Sequence, residues 1–280
     1  MNTVLHSKRP KPWRLIALGV FALIGLAAAA AMELTLKDLI PRESGARTAR
    51  AFLGAALNPA LEHTSWVPDE APGFLNSILQ ATKRTLLIAF AALGLALTAA
   101  LPLALLASER TWAGSSSSLA KILPRATRLL ITLLRSVHEY LLALLFLAAL
   151  GLSPGAGVLA LALPATGILA KVFAELLDEV EPGQFLALEG LGASRPSAVL
   201  FGTLPRALPD LAAYTFYRLE CALRGSFILG FFGFPTLGLG LRLAFEEGDY
   251  PTVWTHLYAL IILMVVFELS SAAMRRRLKA

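Results

Sequence analysis

Apolar residues in this chain come in long runs separated by short polar or basic stretches. Runs of about 20 apolar residues are long enough for a helix to cross a bilayer, and the pattern predicts six spans. The first covers about Trp13–Met32, behind a basic amino terminus. Residues 33–76 are mixed in charge and carry Pro41, Pro59, Pro68 and Pro72, which predicts an external segment with an amphipathic helix near Ala46–Leu57. From Ser77 to Ala107 the spacing is helical. That second helix would run roughly 46 Å, beyond a hydrocarbon core of ~30 Å, so it should tilt or project. Four serines, Ser115–Ser118, predict a loop, and the third span covers about Leu129–Leu150 before a turn at Gly151, Pro154 and Gly155. The fourth covers about Gly157–Leu177, the fifth Leu211–Phe232 and the sixth Val253–Ala273. Between the fourth and fifth lies a segment from Asp178 to about Pro209 punctuated by glycine and proline, and 233–251 is glycine-rich, then acidic.

Composition supports the membrane reading. Of 280 residues, 56% are hydrophobic and 16% charged, against about 25% charged in soluble domains. The net charge of +6 does not form a nucleic-acid stripe. Basic residues cluster at Lys8, Arg9, Lys11 and Arg14, at Arg110, Lys121, Arg125 and Arg128, and at Arg275, Arg276, Arg277 and Lys279. Each cluster flanks an apolar run, where the positive-inside rule places cytoplasmic ends. Six spans with both termini cytoplasmic satisfy all three. Small residues at Ala27–Ala31 also fit a cleavable signal, and either reading leaves the following segment outside. The chain divides into 1–76, a helix plus external segment, and 77–280, a five-helix core with a cytoplasmic loop at about 178–209. The length leaves no room for a nucleotide-hydrolysing domain. One cysteine, Cys221, precludes an intrachain disulfide and reads as a buried apolar side chain.

The loop at 178–209 is the most informative stretch. It reads Leu186-Ala187-Leu188-Glu189-Gly190-Leu191-Gly192, then Ala193-Ser194-Arg195-Pro196, and later Leu204-Pro205. That pattern predicts a short helix, a glycine break, a second short helix and a proline stop. On its own it could be an ordinary helical loop.

Gly192 and Leu204-Pro205 stand at the spacing of the EAA loop, which docks ABC importer permeases onto their ATPases. Arg135-Ser136-Val137-His138-Glu139, Thr166-Gly167-Ile168-Leu169-Ala170-Lys171 and Tyr214-Thr215-Phe216-Tyr217-Arg218-Leu219-Glu220 with Arg224 resemble the phosphonate transporter permeases specifically. The resemblance spans the second to sixth runs. It implies an all-α, type I importer bundle of six transmembrane helices in a bacterial cytoplasmic (inner) membrane. It also implies a second permease subunit, identical or not, two cytoplasmic ATPase subunits that use ATP and Mg, and an external binding protein delivering a phosphonate, phosphite or hypophosphite. The implied coupling residues are Leu186, Ala187, Glu189, Gly192, Ala193 and Pro205. Two positions depart from the family: its loop glutamate falls at Leu186, with Glu189 as a substitute, and its glycine-rich turn reads Phe231-Phe232-Gly233-Phe234. The bulky turn would narrow what it lines and suits a compact anion.

Three spans carry opposite charges four residues apart: Arg135 with Glu139, Lys171 with Glu175, and Glu220 with Arg224. Such pairs share a helix face. At membrane depth each charge costs about 2.5–3.5 kcal/mol and usually faces a bundle interior or a wet path. They are either bridges between helices or, with His138, Tyr217 and Arg218, the lining of a translocation path in which Arg218 and Arg224 lie nearest an anion.

No phosphate-binding glycine loop ending in Lys-Ser/Thr occurs, and His6, His63, His138 and His256 lack zinc spacing. His138 reads as a buried hydrogen-bonding group. The expectation is a transport subunit that is not an enzyme and itself binds no cofactor or metal. An ion-gradient-driven secondary transporter of a small anion is the alternative, against which stands the lack of paired broken helices in the two halves. A lipid-modifying intramembrane enzyme is weaker still, for want of a nucleophile.

Overall fold

The computed structural model describes residues 12–35, 40–62, 73–112 and 117–279, and every regular element among them is a helix. The amino-terminal basic residues Lys8, Arg9 and Lys11, the prolines Pro68 and Pro72, and Ser115 and Ser116 lie outside the described residues. The chain divides into two compact units, Met1–Gly54 and Ala55–Ala280. The first holds helix α1 (Pro12–Ala31), apolar throughout Ile16–Ala31, and most of the amphipathic α2 (Glu43–Ala55), which has no buried residue.

The second unit begins its bundle with α3 (Phe74–Ala107), followed by α4 (Glu109–Trp112), α5 (Ser118–Ser136), α6 (Glu139–Leu150) and α7 (Pro154–Glu179). Then come α8 (Gly183–Gly190), α9 (Arg195–Ala198), a π-helical turn at Val199–Thr203, and α10 (Leu204–Ile228). A 3-10 turn at Leu229–Phe232, α11 (Leu237–Glu247) and α12 (Tyr250–Lys279) complete it.

The centre is the pairing of α3 with α7, and its cause is legible in side-chain size. Ala89, Ala92, Ala96, Ala100 and Ala104 form a stripe at three- and four-residue spacing along α3, each at most 1% exposed. Ala160 and Ala170 of α7 are completely buried too. Small residues let backbones approach closely, which is how helices gain packing when lipid offers no hydrophobic drive. At Gly167 a side chain would stand 2.9 Å from Ile131 O and Arg135 N, so α5 crosses α7 backbone to backbone. Phe173, Leu169 and Leu177 of α7 with Leu211 and Leu223 of α10 fill the rest of this core.

Large apolar side chains point outward instead: Leu87, Phe90 and Leu95 on α3, and Ile262, Val266 and Leu269 on α12. A water-soluble protein would not expose such continuous surface; a bilayer accepts it. Three helices, Phe74–Ala107, Pro154–Glu179 and Tyr250–Arg276, are long and apolar enough to cross, and up to five spans result if each of two bent pairs counts as one.

Four expectations are corrected here. The third span is not one helix: α5 and α6 meet at 81°, because Val137 and His138 adopt extended backbone and the His138 side chain caps α6. Pro205 does not stop a helix; it occupies the first turn of α10, where a missing N–H costs nothing. The last residues of the fifth span, Leu229–Phe232, form a 3-10 turn, and the stretch after it is largely helical, with Glu246 and Glu247 ending α11, set at 45° to the preceding segment. The two bends, of 81° and 45°, also mark broken or re-entrant helices where the pattern predicts continuous spans.

Candidate functional site

Up to its second short helix the loop folds as its pattern predicts. Helix α8 ends at Gly190 with Leu191 as its cap, and Gly192 takes φ +88°, a left-handed conformation that side-chain-bearing residues rarely adopt. Phe185, Ala198 and Val199 form a small core beneath it, with Leu105 of α3 and Leu188 against it. Leu186, Leu191 and Phe201 are left exposed, at 56%, 84% and 70%. Ala187 is exposed and Ala193 half-buried on the same element. Glu189 is not a free charge: its Oε1 stands 2.7 Å from Arg195 Nε. The carboxylate that could have replaced the family's glutamate holds α8 to α9 instead.

Asp178, which sequence reasoning passed over, ties this element to the bundle. Its carboxylate accepts from Ser108 Oγ at 2.5 Å and from the backbone N–H groups of Glu109 and Arg110 at 3.1 and 3.2 Å. Arg110 Nη2 donates to the carbonyls of Asp178 and Val180, and its guanidinium lies 5.9 Å from the Phe185 ring centroid. Arg110 read as one of a topological cluster; the structure makes it the link between α7, α8 and α4. A lone aspartate at a span end facing Ser-Glu-Arg at another was the only available signal.

The candidate path residues divide among three cavities. One, about 510 Å³, lies between α5 and α7 and holds Arg135, Lys171 and Glu175, with Arg128, Glu109 and Asp178. Lys171 pairs with Glu175 at 3.1 Å and Arg128 with Glu109 at 2.9 Å. A second, about 210 Å³, is walled by α3, α6, α7 and α10 and holds Glu139 and Arg218. A third, about 430 Å³, holds Tyr217 and Glu220 with Asp210 and Arg275.

Two of the three expected pairs do not form. Arg135 and Glu139 sit on opposite sides of the bend and face different cavities. Glu220 stands 3.5 Å from Arg275 of α12, while Arg224 points outward and is exposed. Only Lys171–Glu175 keeps its helical partner. His138 is exposed, not buried, and its Nδ1 accepts the Tyr140 N–H at 3.4 Å. Cys221 is half-buried and lines the second cavity. The phenylalanine turn is anchored by Phe234, 1% exposed, whose ring lies against Gly157. Among the described residues no group of three His, Cys, Asp or Glu could hold a metal.

A family model described as binding-protein-dependent transport system inner membrane component matches residues 100–280. Over 153 residues the chain is 37% identical to HtxE of Stutzerimonas stutzeri, a permease protein named for phosphite transport, covering 55% of this chain and 59% of that one. It is 33% identical over 192 residues to the phosphate-import permease protein PhnE of Mycolicibacterium smegmatis, covering 69% of this chain and 35% of that one. The chain thus spans 59% and 35% of the lengths of these relatives. Among solved structures, the inward-facing MetNI methionine ABC transporter aligns with TM-score 0.64 at 22% identity, over 73% of this chain and 97% of that one. An amino acid ABC transporter solved with histidines aligns with TM-score 0.61 at 20% identity, covering 73% and 95%. Identities that low speak to fold alone.

Proposed function

We propose that this chain, which belongs to the binding-protein-dependent transport system inner membrane component family, is the permease subunit of an ATP-driven importer of a small phosphorus oxyanion. The observation that carries the reading is the element α8–α9. It is a pair of short helices joined by Glu189–Arg195, and its Phe185 ring lies beside the Arg110 guanidinium that binds α4 to the end of α7. From it project the apolar side chains Leu186, Leu191 and Phe201. A partner ATPase would grip that surface, and its movement would pass through the Arg110–Asp178 clamp into α3 and α7. The permease then needs only two packings of similar free energy for its partners to bias.

Support for the substrate comes from the relatives, which are named for phosphite and phosphate. On this reading two permease subunits, two ATPase subunits that use ATP and Mg, and an external binding protein assemble in a bacterial inner membrane. Six spans with both ends cytoplasmic follow if α1 and both bent pairs each cross. The domain division of a membrane helix before 76 and a core after it fits the same plan. Leu186, Ala187, Gly192, Ala193 and Pro205 shape the docking surface, and Arg135, Lys171, Glu175, Tyr217 and Glu220 give the path its polar walls. An ion-gradient carrier is set aside because the family is defined by its dependence on a binding protein.

The test is ATPase activity of the lipid-reconstituted complex, with its ATPase and binding protein, titrated with methylphosphonate, phosphite, hypophosphite and phosphate. Stimulation by at least one is expected. A complex that assembles and hydrolyses ATP but responds to none would sink the substrate assignment.

A further inference from the structure

The cavity of about 210 Å³ holds two opposite charges that do not pair. Arg218 Nε is buried and has no hydrogen-bond partner. Glu139 lines the same space, yet the two do not approach within the 4 Å of an ion pair. A buried donor left unmatched is costly, as is a charge inside a membrane. Arg218 makes no hydrogen bond or ion pair within the described residues, so the rest of its guanidinium is available to a ligand in the cavity.

The setting defines what that is. Glu139 opens α6 at the bend, where a helix N-terminus attracts negative charge. With Arg218 opposite, the cavity carries positive potential from two directions and one carboxylate acceptor. Its remaining walls are apolar, from Ala92, Leu93, Leu161 and Ala165. The space admits a small tetrahedral anion together with several waters. Gly225 keeps it open: a methyl group there would stand 2.9 Å from Leu161 Cδ2 and 3.4 Å from Glu139 Oε1.

We propose that this cavity binds one small phosphorus oxyanion that retains a P–OH group, with Arg218 donating to the anion and the Glu139 carboxylate accepting from its hydroxyl. The inference rests on the phosphorus-oxyanion reading above and adds a selection rule to it. A carboxylate only accepts hydrogen bonds. Phosphite, methylphosphonate and phosphate monoanions each bring a hydroxyl proton to it. Sulfate has none at neutral pH, and hypophosphite carries P–H bonds but no P–OH in its anion. Both would leave two acceptors facing each other. The rule separates phosphite from hypophosphite, which charge and size alone do not.

The experiment is equilibrium dialysis of radiolabelled anions against the full chain in lipid nanodiscs, at mildly acidic pH where the phosphorus anions keep one proton. Phosphite, methylphosphonate and phosphate are expected to bind one per chain, with sulfate and hypophosphite at least about ten-fold weaker. Glu139→Gln, which supplies a donor as well as an acceptor, should bring sulfate to within about three-fold of phosphite. Arg218→Gln should weaken every anion at least about ten-fold, with partial recovery in Arg218→Lys. If Arg218→Gln does not fold, Gly225→Ala removes the space instead and should lower occupancy of all anions. Equal affinity for sulfate and phosphite in the unaltered chain, or no binding of any anion, would overturn the inference. ATPase stimulation by phosphite in the full complex alongside such a result would leave the importer reading standing. Selective binding here with an unresponsive ATPase would do the reverse.

Discussion

Two of the three cavities that hold candidate charges solve the same electrostatic problem in opposite ways. In the larger one, between α5 and α7, opposite charges meet: Lys171 with Glu175 and Arg128 with Glu109, all of them substantially exposed. Each side chain there has an answer from the protein and from water. In the smaller one, Glu139 and Arg218 face a common space without meeting, and a guanidinium nitrogen is buried with nothing to donate to. Exposed pairs contribute little to stability and are exchangeable. Half-buried, separated opposites are harder to exchange. The difference teaches that charge at membrane depth is weighed by whether it is satisfied, more than by whether it is present.

Substitutions in the two cavities should therefore diverge. Arg218→Gln is expected to have the largest functional effect, lowering ATP-dependent phosphite uptake at least about ten-fold while the protein still reaches the membrane. Asp178→Ala, at the edge of the larger cavity, removes acceptors from Ser108 Oγ and two backbone N–H groups. It should cost about 2–3 kcal/mol in thermal unfolding and uncouple ATP hydrolysis from uptake. Thr85→Val gives a neutral reference: its hydroxyl oxygen accepts the Leu237 N–H at 3.1 Å in a fully buried setting. The expected loss is about 1–2 kcal/mol of stability, with uptake per folded molecule unchanged. Lys171→Gln should be smallest, within about 0.5 kcal/mol and with near-normal uptake. If Lys171→Gln harmed transport as much as Arg218→Gln, the contrast between the cavities would collapse.

What the sequence displayed and what it hid follow from the range of the interactions. Local signals were legible: the helical runs, the amphipathic helix at Glu43–Ala55, and the short helices around Gly192. A positive φ at Gly192 is a property of a few adjacent residues, whereas Pro205, which the pattern reads as a stop, opens α10 instead. The bend at Val137–His138 was not legible, because the polar stretch Arg135-Ser136-Val137-His138-Glu139 reads equally as an ion pair on one face of a continuous span. That single break undid the Arg135–Glu139 pairing and sent the two side chains to separate cavities. Glu220 likewise found Arg275, on α12, in preference to its own helix neighbour. Four-residue spacing says which charges can meet; packing between distant helices decides which do. Asp178 was invisible for the same reason, since its partners Ser108, Glu109 and Arg110 lie about seventy residues away.

The most direct test of the central claim is uptake of radiolabelled phosphite by proteoliposomes that carry this chain with its ATPase and binding protein. The account predicts accumulation only when ATP and the binding protein are both supplied, unaffected by collapsing proton and sodium gradients. Accumulation driven by an ion gradient in vesicles holding this chain alone would contradict it.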